Sequence, residues 1–142
     1  MVAVLASCGG NQVSLWNIPG DDSPIVTFRP EYVPDSSYGD EGSNVTSLSF
    51  NKTAQVLAAS TASGIISIYS QNGTLHDTIR PDDPVNGGNG ELPISCISFS
   101  SSGLSLCSGG EDRILRLWDC KRKEIVRVIE NWQSSLVLRL RI

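Results

Sequence analysis

The sequence predicts an all-β chain built from repeated antiparallel sheets, and three observations carry that reading. The segments Val4 to Trp16, Leu57 to Tyr69 and Leu106 to Trp118 align without a gap. Each has small residues early, then a turn, an apolar strand and a closing aromatic, and the copies lie 53 and then 49 residues apart. The last copy ends in Trp118-Asp119. A repeat of roughly 40 to 50 residues with a terminal Trp-Asp marks the blades of a β-propeller, four antiparallel strands to a blade.

The elements follow in order. Met1 to Ser7 reads as a strand, Gly9 to Gln12 as a turn and Val13 to Ile18 as the next strand; after Pro19 to Pro24, Ile25 to Phe28 reads as an outer strand. No sequence precedes Met1 to supply a first strand, so the first unit is expected to be incomplete. Residues 29 to 43 hold Pro30, Pro34, Gly39 and Gly42 among acidic side chains and read as a loop, in which Tyr32 and Tyr38 are candidate partner anchors.

The second unit comprises Val45 to Phe50, Gln55 to Ser60, Ile65 to Ser70 and Thr74 to Ile79. Asn72-Gly73 suits the tight turn between its last two strands. Residues 80 to 93 are glycine-rich, but they lack the lysine and hydroxyl residue of a nucleotide-binding loop and read as a second insertion.

The third unit comprises Ile94 to Ser100, Leu104 to Ser108, Arg113 to Trp118 and Glu124 to Ile129. Ser47 to Phe50 and Ile97 to Phe99 mark equivalent first strands. The turn at Gly109 to Asp112 places glycine where the backbone can take positive φ, and Asp112 can bond nearby amides. From Asn131 the pattern changes, and residues 131 to 142 alternate well enough for one more strand.

On Ser108-Gly-Gly-Glu-Asp112 and Leu117-Trp-Asp119 the chain resembles WD40-repeat proteins, over about residues 2 to 130. The resemblance implies blades at about 2–29, 45–80 and 94–130, a divergent tail at 131–142 and an open ring, since a propeller closes with at least four blades. It also implies a hydrogen-bonded chain within a blade, to which Ser108, Asp112 and Trp118 match; His76, the sole histidine, falls on an outer strand of another unit.

Composition narrows the function classes. The net charge is −4, with residues 1 to 110 carrying 10 acidic and 3 basic side chains and residues 111 to 142 carrying 5 and 8. The acidic part repels phosphate backbones, which argues against nucleic acid as a partner. No apolar run reaches 18 residues and no signal-peptide pattern opens the chain, so neither a membrane partner nor secretion is expected. Cys8, Cys96, Cys107 and Cys120 lack metal-site spacing and read as buried free thiols. Asn44, Asn51 and Asn72 fit a glycosylation pattern but read as turn residues.

With one histidine, no nucleophile elbow and no ligand cluster, no catalytic site, metal or cofactor is expected. A scaffold that binds other proteins is the expected function. Candidate contacts are Asn11, Tyr32, Tyr38, Asp82, Asp83 and Glu111, on turns and loops.

Asn72 to Ile79, Ile94 to Gly103, Cys107 to Gly110 and Leu117 to Lys123 look like the WD-repeat family that recruits γ-tubulin ring complexes, in particular its plant-type forms. That resemblance implies an adaptor in microtubule nucleation, partnered by the γ-tubulin complex or spindle proteins and located on the cytoskeleton in the cytoplasm. The alternative is a substrate receptor of a cullin-type ubiquitin ligase. Such receptors carry Trp-Asp-x-Arg where this chain has Trp118-Asp-Cys-Lys121, and lysine lacks the planar guanidinium fork. A second alternative is a truncated piece without function.

Overall fold

The computed structural model describes residues 3–20, 22–30, 43–51, 55–79, 94–110 and 113–130. Strands β1 (Ala3–Gly9), β2 (Gln12–Ile18) and β3 (Val26–Phe28) form the first sheet. Strands β4 (Val45–Phe50), β5 (Val56–Thr61), β6 (Ile66–Ser70) and β7 (Leu75–Ile79) form the second. Strands β8 (Cys96–Phe99), β9 (Ser105–Gly109), β10 (Leu115–Asp119) and β11 (Glu124–Ile129) form the third. Among the described residues every pairing is antiparallel between consecutive strands, and no sheet closes on itself. The molecule is an arc of three propeller blades, the first with three strands among the described residues.

Two apolar cores lie between the sheets. Val13 and Leu15 of the first sheet meet Leu57, Ala59 and Tyr69 of the second, with Val26 and Phe28 against them. On the other face of the second sheet, Ala58, Ile66 and Ile79 meet Ile97, Phe99, Leu106 and Trp118 of the third. The middle sheet is therefore buried on both sides, which explains why β5 reads Val-Leu-Ala-Ala-Ser-Thr, buried from Leu57 to Thr61, rather than alternating between buried and exposed residues. At about 1.5–3 kcal/mol for each large apolar side chain removed from water, these two cores outweigh any polar contact in the arc.

The strands that lead the second and third sheets lie side by side, and polar contacts index them. Ser47 Oγ accepts from the amide of Ile97 at 3.1 Å, and Ser49 Oγ accepts from the amide of Phe99 at 3.1 Å. Strand β8 is an edge strand, so its outward N–H groups need partners from outside the sheet. At the first joint, the amide of Val45 donates to the carbonyl of Gly10 at 2.7 Å. On the outside, Lys123 Nζ reaches Asp77 Oδ1 at 2.6 Å between the third and second sheets.

The register corrects three expectations. Leu57 lies opposite Tyr69 and Leu106 opposite Trp118, but Trp16 lies opposite Leu5. The first copy is therefore one residue shorter and aligns only with a gap, because its hairpin closes through Gly10-Asn11 alone, with Gly10 at φ 55°.

In the β9–β10 connection the positive φ among the described residues falls at Arg113, at 62°, and at neither Gly109 nor Gly110. Gly109 lies in β9, and Arg113 occupies the place of Gly64 in the second sheet, at φ 96°. Of the four free thiols only Cys96 is fully buried; Cys8 is exposed on β1, an edge strand of a sheet covered on one face. Other boundaries shift by one or two residues.

Gly73 illustrates how turns fit between blades. It has φ 83°, and a Cβ there would meet Val26 Cγ1 of the first sheet at 2.8 Å. Asn72 Oδ1 accepts from the amide of Thr74 at 3.1 Å, so the Asn-Gly pair closes the turn from both residues. Asn51 acts likewise, its Oδ1 accepting from the amides of Gln55 and Val56 at 3.0 and 3.1 Å.

Candidate interaction surface

Within the third sheet, Trp118 Nε1 donates to Ser108 Oγ at 2.9 Å, and both residues are buried against the second sheet. The first sheet repeats the bond: Trp16 Nε1 donates to Ser7 Oγ at 2.9 Å, on the face turned away from the second sheet. The sequence reading missed Ser7, since a gapless alignment puts Gly109, not Ser108, over it. A serine one turn-length before each tryptophan was the available signal. In the second sheet the corresponding residues are Ala59 and Tyr69, and the Tyr69 ring instead lies 4.2 Å from that of Phe28.

Each of these bonds joins two neighbouring strands of one sheet. The connections between strands gather at the two strand ends. Phe28 pairs with Val13 close to the Gly10-Asn11 turn, and Val45 bonds to Gly10. Ile79 pairs with Ile66 beside the 61–65 turn, and Cys96 pairs with Gly109 beside the 110–114 turn. One end of the arc therefore carries three hairpin turns and all four strand ends that flank residues 29–44 and 80–93.

Those connections, 29–44, 80–93 and 110–114, carry nine acidic and three basic side chains. The connections at the opposite end, 19–25, 51–55, 71–74, 100–104 and 120–123, carry two acidic and four basic. By sequence, the connections at the two ends therefore differ in the sign of their net charge.

Asn11 sits half-buried at the turn of this acidic end. Tyr32, Tyr38, Asp82, Asp83, Glu111 and Asp112 lie outside the described residues. Lys121, Arg122 and Lys123 are exposed in the turn at the opposite end, where Asp119 Oδ1 accepts from the amides of Lys121 and Arg122 at 2.9 Å.

Two further features bear on chemistry. Burial pushes the Cys96 and Cys120 thiols up to about 11, so both stay protonated and are poor nucleophiles. Among the described residues, no group of three His, Cys, Asp or Glu could hold a metal ion, and no helix is long and apolar enough to cross a membrane.

Comparison with known proteins gives the arc a context. A family model described as WD domain, G-beta repeat, matches residues 33–70 and 85–119, just over half of the chain. The chain is 29% identical to the antiviral protein SKI8 of Saccharomyces cerevisiae over 118 residues, which is 75% of this chain and 30% of that protein. It is 33% identical to the general transcriptional corepressor TUP1 of the same yeast over 46 residues, 32% of this chain and 6% of TUP1. The chain thus spans less than a third of either relative.

Proposed function

Because the chain belongs to the WD domain, G-beta repeat family, we propose that it is a non-enzymatic scaffold that binds other proteins through the acidic end of its arc. One observation carries this reading: the strand ends that flank both long insertions, and the turn bearing Asn11, converge on one end whose connections hold nine acidic and three basic side chains. A rigid edge of sheets presenting charged loops suits a basic protein surface and repels nucleic acid.

The finer reading, an adaptor for γ-tubulin ring complexes in microtubule nucleation, rests on the resemblance of residues 72–79, 94–103, 107–110 and 117–123. It places the protein in the cytoplasm on spindles or microtubule-organising centres, with Asn11, Tyr32, Tyr38, Asp82, Asp83 and Glu111 as contacts. The ubiquitin-ligase reading makes a different demand, because it needs the turn at Lys121.

An affinity pull-down separates them. The Asp82→Lys/Asp83→Lys variant is expected to lose the partners captured by the wild type, γ-tubulin complex components among them, while Lys121→Glu/Arg122→Glu keeps them. The reverse pattern, with a cullin adaptor lost on changing Lys121 and Arg122, supports the ligase reading. Partners unchanged in both variants overturn the assignment to either end.

A further inference from the structure

Asn72-Gly73, in the turn between β6 and β7, is the one Asn-Gly pair among the described residues. Besides shaping a turn, such a pair has a chemistry of its own. The main-chain nitrogen that follows an asparagine can attack the side-chain amide carbon, and a following glycine, with no Cβ in the way, leaves that nitrogen the most open. The Gly73 nitrogen gives up its proton and bonds to Asn72 Cγ, the Cγ–Nδ2 bond breaks, and ammonia leaves with that proton. The product is a succinimide ring. Water then opens the ring at one of its two carbonyls. Addition at Cγ gives aspartate; addition at the main-chain carbonyl carbon gives isoaspartate, in which the chain runs on through the side chain and is one methylene longer.

The folded turn holds both reacting groups off this course. The Gly73 amide donates to the carbonyl of Ser70 at 3.0 Å, and the Ser70 amide donates to the carbonyl of Thr74 at 2.9 Å. These bonds fix the backbone rotation that would swing the Gly73 nitrogen toward Cγ. Asn72 Oδ1 accepts from the amide of Thr74 at 3.1 Å and from the hydroxyl of Ser70, which fixes the side chain as well. Asn72 is exposed, so water reaches it and restraint alone slows the reaction.

The first sheet completes the restraint. A carbon added at Gly73 would meet Val26 Cγ1 at 2.8 Å and Phe28 Cδ1 at 3.3 Å, both on β3. An isoaspartyl link lengthens the main chain beside this seat and displaces Gly73 where there is no slack. Aspartate keeps the length of the chain and the acceptor for the Thr74 amide, so it leaves the turn intact.

We propose that Asn72-Gly73 is a guarded modification site. It remains asparagine while the turn is closed against β3, and it converts to isoaspartate once the turn has opened, which then keeps β3 from seating again. Water is the only co-reactant, and the change is an irreversible record of opening. This inference is independent of the partner assigned to either end of the arc.

Peptide mapping of the full chain by mass spectrometry, at mildly alkaline pH, tests it through the mass gain of amide-to-acid conversion, with an isoaspartate-specific methyltransferase assay to separate the two products. Conversion at Asn72 is expected to be at least about tenfold slower in buffer than in denaturant, since the turn must open first. Val26→Ala loosens the seat without touching the reacting groups and is expected to speed conversion in buffer about threefold, with circular dichroism to show that the variant is folded. The comparison with denaturant needs no variant. Chain refolded with isoaspartate at 72 is expected to melt below Asn72→Asp. Equal rates in buffer and denaturant, no gain in folded Val26→Ala, or equal melting of the isoaspartyl chain and Asn72→Asp overturns the proposal.

Discussion

The first and third sheets carry the same tryptophan–serine bond at the same length, 2.9 Å, yet they set it in different surroundings. Trp118 is 2% exposed and Ser108 1%, roofed by the second sheet; Ser7 is exposed and Trp16 half-buried. A hydrogen bond that can exchange with water contributes little, whereas one sealed from water leaves a stranded polar group when broken. The comparison teaches that geometry alone does not set the worth of a repeated motif. What covers it does.

The largest break in that symmetry comes from removing the rings. Trp118→Ala is expected to cost about 3–5 kcal/mol as a large core truncation, and Trp16→Ala less than half of that, read from urea denaturation midpoints. Equal losses would place the two rings in equivalent environments. Next in size, Ser108→Ala should cost about 1–2 kcal/mol by leaving the indole N–H buried without an acceptor, and Ser7→Ala under about 0.5 kcal/mol.

A third test compares backbone seats. Arg113→Gly should raise stability by about 1 kcal/mol, since Arg113 holds the left-handed conformation that Gly64 holds in the second sheet. A drop in thermal midpoint would show that the arginine side chain matters more than its φ.

The smallest effect concerns the outer clasp. The Lys123 ammonium, chiefly through its hydrogen bond, holds the Asp77 carboxyl below its ordinary value of 3.8. The folded value is the lower one, so this stabilisation is present above about 3.8 and fades as pH falls through the folded value. Both side chains are partly exposed, so Asp77→Asn should cost less than about 0.5 kcal/mol at neutral pH. The difference should vanish in acid, and a gap that persists there would mean that the carboxylate charge is not its source.

Much of the architecture was legible because its signals are local. Apolar alternation, the Asn-Gly pair at Asn72 and the recurring aromatic place the strands and most turns. The one-residue gap was not legible, because Cys8-Gly-Gly-Asn11 allows a hairpin of either length and only pairing with β2 chooses. The roles of Ser47 and Ser49 depend on a strand fifty residues away. Arg113 takes a conformation that local preference assigns to glycine, because turn closure overrides it. Of the proposed contact residues, Asn11 alone lies among the described ones, on the predicted turn; the others were argued from sequence alone.

Ser47 and Ser49 have a consequence beyond two bonds. Spaced by Leu48, they act as two teeth that engage alternate amides of β8. A slide of one residue would set leucine against an amide and lose both bonds, and a slide of two would keep one. The second and third sheets are thereby held at a common height along the strand direction. Two twisted sheets without such an index are free to slip past each other like the steps of a spiral stair, and with it they stay level.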